Sequence, residues 1–122
     1  MPKRVLDIGN CGLDHGNITN MIQANFSAEV DQANAAADAL SMLEQYEYDL
    51  VLVNRLLDLD GSSGVALIAQ VQQRYPKLQL MLITNFEEHQ KSAVAAGAVP
   101  GFGKSDIDSP QTIQLLAQYL EG

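Results

Sequence analysis

Asp49-Leu50-Val51-Leu52-Val53-Asn54 holds four consecutive apolar residues, two of them β-branched, between polar ends. A strand with one wet face alternates apolar and polar residues, whereas an unbroken apolar run suits a strand covered on both faces of a parallel sheet. The segment is therefore expected at the centre of such a sheet, and the rest of the chain must supply helices for both faces.

The flanking sequence alternates accordingly. Val5-Leu6-Asp7-Ile8 reads as a short strand ending in a Gly9-Asn10-Cys11-Gly12 turn, after which Ile18, Met21, Ile22 and Phe26 recur at helical spacing. Ala28-Glu29-Val30 is a weak edge strand. A helix from Asn34 to Glu44 follows, with Asn34 as candidate N-cap and alanines as strong helix formers. After Asp60-Gly61-Ser62-Ser63-Gly64, a third helix is expected to turn Val65, Leu67, Ile68 and Val71 inward and to stop before Pro76. Leu78 to Thr84 reads as the fourth strand, Glu87 to Ala96 as a helix ended by Gly97, and Val99 to Gly103 as a short fifth strand. Ser109-Pro110 opens a last helix as N-cap and first-turn proline, with Ile113, Leu116, Ala117 and Leu120 on one face. Five strands alternating with five helices predict an α/β, doubly wound parallel sheet with right-handed crossovers.

Length and charge restrict the function classes. The 122 residues are read as one domain over 1–122, a reading compatible with a piece of a longer protein. No stretch approaches the ~20 uncharged apolar residues of a membrane span, so a soluble, cytoplasmic protein is expected. The single cysteine, Cys11, excludes an internal disulfide framework and a cysteine-based zinc cluster. With 15 acidic residues against 7 basic ones the formal charge is -8, and the basic residues are scattered. Direct binding to nucleic acid is not expected, because phosphates would be repelled.

Ligands of a doubly wound sheet sit outside the carboxyl ends of the strands. The residues that follow the expected strands there are Gly9 and Asn10, Asn54, Thr84 and Asn85, and Lys104. With these positions, the stretches Asp49-Leu50-Val51-Leu52-Val53, Asp60-Gly61, Leu82-Ile83-Thr84, Ala96-Gly97-Ala98 and Lys104 resemble the receiver domains of two-component response regulators. The resemblance covers essentially the whole chain. It implies a flavodoxin-like fold with strand order 2-1-3-4-5, and a role in signal transduction.

The same resemblance implies a phosphoryl-accepting aspartate after the third strand, an acidic pair for Mg²⁺ after the first, a Ser or Thr after the fourth and a Lys after the fifth. Thr84 and Lys104 fit the last two positions. Asn54 stands at the acceptor position, and Gly9 and Asn10 stand at the acidic pair. The aromatic position shortly before the lysine falls on Gly101 by strict counting and on Phe102 with a one-residue slip. Phosphoryl transfer to a carboxylate needs an anionic oxygen and a cation, and an amide is a poor nucleophile. Mg²⁺ wants hard anionic oxygens, so its binding is expected to be lost and no cofactor is implied. No catalytic residue is assigned, and the chain is not expected to be an enzyme.

Three carboxylates remain as substitutes. Asp58 and Asp60 lie in the loop after Asn54, where turn residues in water are the ordinary reading, and Asp7 lies just before the pair position, with Lys104 as a partner if it points inward. Asn54, Thr84 and Asn10 could surround Lys104 as a neutral hydrogen-bonded cluster, or join it and the backbone amides of Gly9 to Gly12 in a small anion site. His15 and His89 are read as surface residues. The expected function is a phosphorylation-independent docking module for a signalling protein: a histidine kinase, an output domain or another regulator. The docking surface would be helix 1 or the face of helix 4, strand 5 and helix 5, where Gln111, Gln114, Gln118 and Tyr119 offer neutral contacts and a homodimer is a further option. The alternative is a switch phosphorylated at a non-standard site such as Asp58, or gated by an anion.

Overall fold

The computed structural model describes residues 2–121. Eleven segments follow one another: β1 (Lys3–Ile8), α1 (Gly12–Asn25), β2 (Ala28–Ala33), α2 (Ala36–Gln45), β3 (Leu50–Asn54), α3 (Gly64–Arg74), β4 (Leu80–Ile83), α4 (Glu87–Ala95), β5 (Val99–Phe102), a single 3₁₀ turn (Lys104–Asp106) and α5 (Pro110–Leu120). All strand pairs are parallel, in the order β2-β1-β3-β4-β5. The flavodoxin-like expectation is met, with the apolar run of β3 at the centre.

Strand alternation divides the core in two. Val51 and Val53 join Leu6, Ile8, Leu80 and Leu82 against α2, α3 and α4, whereas Leu50 and Leu52 join Val5, Met81 and Ile83 against α1 and α5. Each of the four apolar β3 side chains is fully buried. Complete burial stabilises by about 1.5–3 kcal/mol per large aliphatic side chain, which explains the unbroken run.

Boundaries depart from expectation where distant groups intervene. α2 starts at Ala36, so Asn34 is not its N-cap, and the capping residue Ala35 has no side chain for the role. The Ala36 N–H instead donates to Asp60 Oδ2 at 3.3 Å, from a loop 24 residues away. β2 extends through Ala33, held in register along all of β1 and by the Arg4–Asp31 ion pair. β4 begins only at Leu80, because Pro76 opens a turn in which Leu78 N–H bonds Tyr75 O. Phe26 caps α1 rather than extending it. Ser109 caps α5 as expected, accepting from Thr112 N–H at 3.2 Å. Gly97 takes a φ of 115°, which stops α4.

Candidate functional site

The carboxyl edge of the sheet gathers the residues after β1, β3, β4 and β5. Gly9 leaves β1 with a φ of 77°, a left-handed conformation that side chains resist. A Cβ there would meet the Cδ2 of Leu57 and lie 2.8 Å from its Cα and 2.9 Å from its Cβ. Leu57 is itself buried, so the β3–α3 loop is closed over this glycine.

Asn54, the last residue of β3, spends both ends of its amide on backbone. Nδ2 donates to Gly9 O at 3.1 Å, and Oδ1 accepts from Arg55 N–H at 2.9 Å. Gly9 O also accepts from Asp58 N–H at 2.8 Å, while Gly9 N–H is committed to Ala33 O. The buried Thr84 accepts at Oγ1 from Phe86 N–H at 3.3 Å. Lys104 Nζ lies 3.0 Å from Asp14 Oδ2 on α1.

Asn54, Thr84 and Lys104 line one shallow pocket of about 220 Å³ together with Arg55, Leu56 and Phe86. The expected cluster around Lys104 is not formed, because Asp14 supplies its counter-charge and Asn10 is turned elsewhere. The four residues expected to bind an anion are therefore not brought together: three share the pocket and Asn10 does not.

Asn10 belongs to a buried network under the start of α1. Asp7, two residues after Val5, shares its α1/α5 side of the sheet and is wholly buried. Its partner is not Lys104. Asn10 Nδ2 donates to Asp7 Oδ1, and His15 Nδ1 lies 2.7 Å from Asp7 Oδ2. His15 is thus part-buried and bonded, not a free surface residue, with Nε2 3.5 Å from Thr19 Oγ1. Asn10 Oδ1 is buried without a partner.

Burial pushes the Asp7 carboxyl above the usual carboxylate range, opposed by hydrogen bonds from Asn10 and His15 and by the His15 charge. A carboxyl whose pKa is raised by folding contributes stability that is complete below its unfolded pKa and is lost as pH rises through the folded one. Asp7→Asn removes that titration. The new amide can accept from His15 and, once the Asn10 amide turns over, donate to the Asn10 oxygen. Urea unfolding of both proteins between pH 4 and 8 should show the variant gaining on the parent as pH rises, and a pH-independent difference would contradict this.

The loop carboxylates have different fates. Asp58 and Asp60 are both exposed. The Ser62 hydroxyl, at 2.6 Å, and then the Ser62 amide, at 2.9 Å, hold the Asp60 carboxyl below its usual range, and Asp60 also meets α2. Asp60 is thus a turn and cap residue. Among the described residues, no three His, Cys, Asp or Glu side chains converge as a metal site. Phe102 packs in the core, whereas a Cβ on Gly101 would collide with Leu82 O. The position expected to be aromatic is therefore either a core residue or a glycine with no room for a side chain.

Sequence reasoning missed Asp14, Arg55 and Gln90. Asp14 pairs with a lysine 90 positions away, a contact with no local signature.

The response regulator receiver domain family matches residues 15–105. The chain belongs to that family. The matched segment begins after Gly9 and Asn10 and ends just past Lys104. The transcriptional regulatory protein CitT of Bacillus subtilis (strain 168) is 28% identical over 94 residues, which are 75% of this chain and 40% of CitT. This chain thus spans less than half of that relative.

Among solved structures, the signal receiver domain of an HD domain-containing protein from Pseudomonas fluorescens Pf-5 superposes with a TM-score of 0.82 at 22% identity, covering 98% of this chain and 88% of that one. NtrX from Brucella abortus gives 0.80 at 20% identity, covering 99% of this chain and 27% of NtrX. A response regulator from Burkholderia pseudomallei, solved with a phosphorylated aspartic acid, a calcium ion and citrate, gives 0.75 at 20% identity, covering 98% and 66%. These likenesses establish the fold. Receiver domains of response regulators act in signal transduction by interacting with signalling partners. No described helix is long and apolar enough to cross a membrane.

Proposed function

We propose that this receiver domain is a docking module that signals without being phosphorylated. The observation that carries the reading is the use of Asn54: both ends of its amide are bonded to backbone, at the position where the resemblance expects a free carboxylate oxygen. The surroundings do not fit Mg²⁺. Gly9 has no side chain and no room for one, the Asn10 amide is turned to Asp7, and Asn54 is neutral. No carboxylate pair is left to hold the ion.

Docking is supported by the surface at this edge. Leu13 on α1 is 74% exposed, Leu59 on the β3–α3 loop 69% and Phe86 at the start of α4 57%, and the exposed Leu56 lines a pocket with Phe86. Several large apolar side chains exposed near one edge favour contact with a protein surface. The carboxyl edge, with α1, the β3–α3 loop and the start of α4, is therefore preferred to the face of α4, β5 and α5 as the contact. The partner would be a histidine kinase, an output domain or another regulator, within the cytoplasm. An anion-gated switch rests on Arg55, which has no carboxylate partner within 4.0 Å among the described residues and lines the pocket beside Lys104. It is the weaker reading, because Lys104 is already neutralised by Asp14.

Incubation with a small acyl phosphate and Mg²⁺, followed by intact-mass measurement, is expected to leave the mass unchanged. A stable gain of one phosphoryl group that disappears in Asp58→Ala would overturn the proposal in favour of a displaced acceptor.

A further inference from the structure

The β4–β5 seam is the irregular part of the sheet. Met81 pairs with Val99 and Ile83 with Phe102, so Leu82 of β4 faces both Pro100 and Gly101 of β5. Such a bulge interrupts the ladder locally, and Pro100 has no N–H to donate. The missing groups come from a side chain on α4. Gln90 Nε2 donates to Leu82 O at 2.8 Å, and Gln90 Oε1 accepts from Gly101 N–H at 3.0 Å. The same Nε2 lies 3.4 Å from Thr84 O and 3.4 Å from Phe102 O. A primary amide carries an acceptor and two donors in one plane, so it can stand between two strands as a peptide unit does. Gly101 leaves the space for it, since a Cβ at that position would collide with Leu82 O and lie 3.3 Å from Gln90 Nε2.

α4 has little else to fix it. It is nine residues long, and Ala93 is its one fully buried residue. A short helix with so small a buried face is drawn from the less stable end of a structure unless something ties it down. We propose that Gln90 is a positioning residue that replaces the interrupted β4–β5 rung and so ties α4 to the sheet, holding the α4–β5 face in one conformation. Any rotation or slide of α4 withdraws the amide and leaves Leu82 O and Gly101 N–H unpaired together. This inference concerns conformation only, and it stands whether or not the domain is phosphorylated.

Native-state hydrogen exchange, read amide by amide by NMR on the full chain, tests it with Gln90→Leu and Gln90→Glu. In Gln90→Leu the Gly101 amide and the α4 amides are expected to exchange about tenfold faster or more, while Leu6 and Val51 in β1 and β3 keep their protection. Gln90→Glu keeps an acceptor for Gly101 N–H but, when ionised, has no donor for Leu82 O. Its exchange should be intermediate at neutral pH and return toward the parent's as acid protonates the carboxyl, a response that a packing role would not produce. Unchanged exchange at Gly101 and α4 in Gln90→Leu would overturn the proposal. So would a uniform acceleration at all amides, which would assign Gln90 to global stability alone.

Discussion

Gly9→Asp is expected to destabilise the domain by about 2–6 kcal/mol, the sum of roughly 1–3 kcal/mol for forcing a side chain into left-handed backbone and a similar amount for overpacking. The first term follows from the φ of 77°. The second follows from Leu57, whose Cα would stand 2.8 Å from the new Cβ. A side-chain end could swing away, but a Cα can move only with its loop. That loop is held by Leu57 N–H on Ser62 O at 3.0 Å, by Gly61 N–H on Leu57 O at 2.8 Å and by Asp58 N–H on Gly9 O at 2.8 Å. A typical domain has about 5–15 kcal/mol in all, so urea titration should show a much lower midpoint or an unfolded protein.

Gly12→Ala is the control. Its Cβ would meet nothing within 4 Å at the start of α1, and the change should be neutral or slightly stabilising. If Gly9→Asp were equally mild, the closure of the loop over Gly9 would be refuted. On the proposed reading, this closure means that an acid cannot be restored at Gly9 by a side-chain change alone.

Much of the fold was legible because its determinants are local. The apolar run of β3 announced a strand covered on both faces, and Ser109-Pro110 announced the start of α5. Asn34 misled because the group that meets α2 is Asp60, brought there by the loop that closes over Gly9. The site was legible as a set of positions, since each follows a strand, but not as a set of bonds. Period-two alternation puts Asp7 on the face of Val5, yet only the packing of α1 shows that His15 covers it. Lys104 could be placed after β5 from spacing, but its choice of Asp14 over Asn54, Thr84 and Asn10 depends on how α1 and the loop after β5 approach one another. Likewise Gly101 looked like an absent aromatic, and only the seam shows the amide that takes the space.

Asn54→Asp is expected to lose about 1–3 kcal/mol at neutral pH and to remain unphosphorylated, the loss being that of a donor replaced by a charged acceptor. The amide Nδ2 lies 3.1 Å from Gly9 O, so a carboxylate oxygen in its place would face a carbonyl oxygen at hydrogen-bond range. Arg55 and Lys104 line the same pocket and offset part of the new charge, but Lys104 is shared with Asp14. The confrontation raises the pKa of the new carboxyl in the folded state. Its stability contribution is then complete below the unfolded pKa, where its O–H can donate to Gly9 O, and is lost as pH rises through the folded pKa. Denaturation of variant and parent at pH 4 and pH 7 should give nearly equal stabilities in acid and a deficit at neutrality. The same preparation, given an acyl phosphate and Mg²⁺, should show no added mass, because an anionic oxygen alone does not neutralise the charge on a transferring phosphoryl group. If the variant does take up a phosphoryl group, the domain holds its metal through donors other than those after β1. Asn54 would then be a single lost nucleophile in an otherwise working switch.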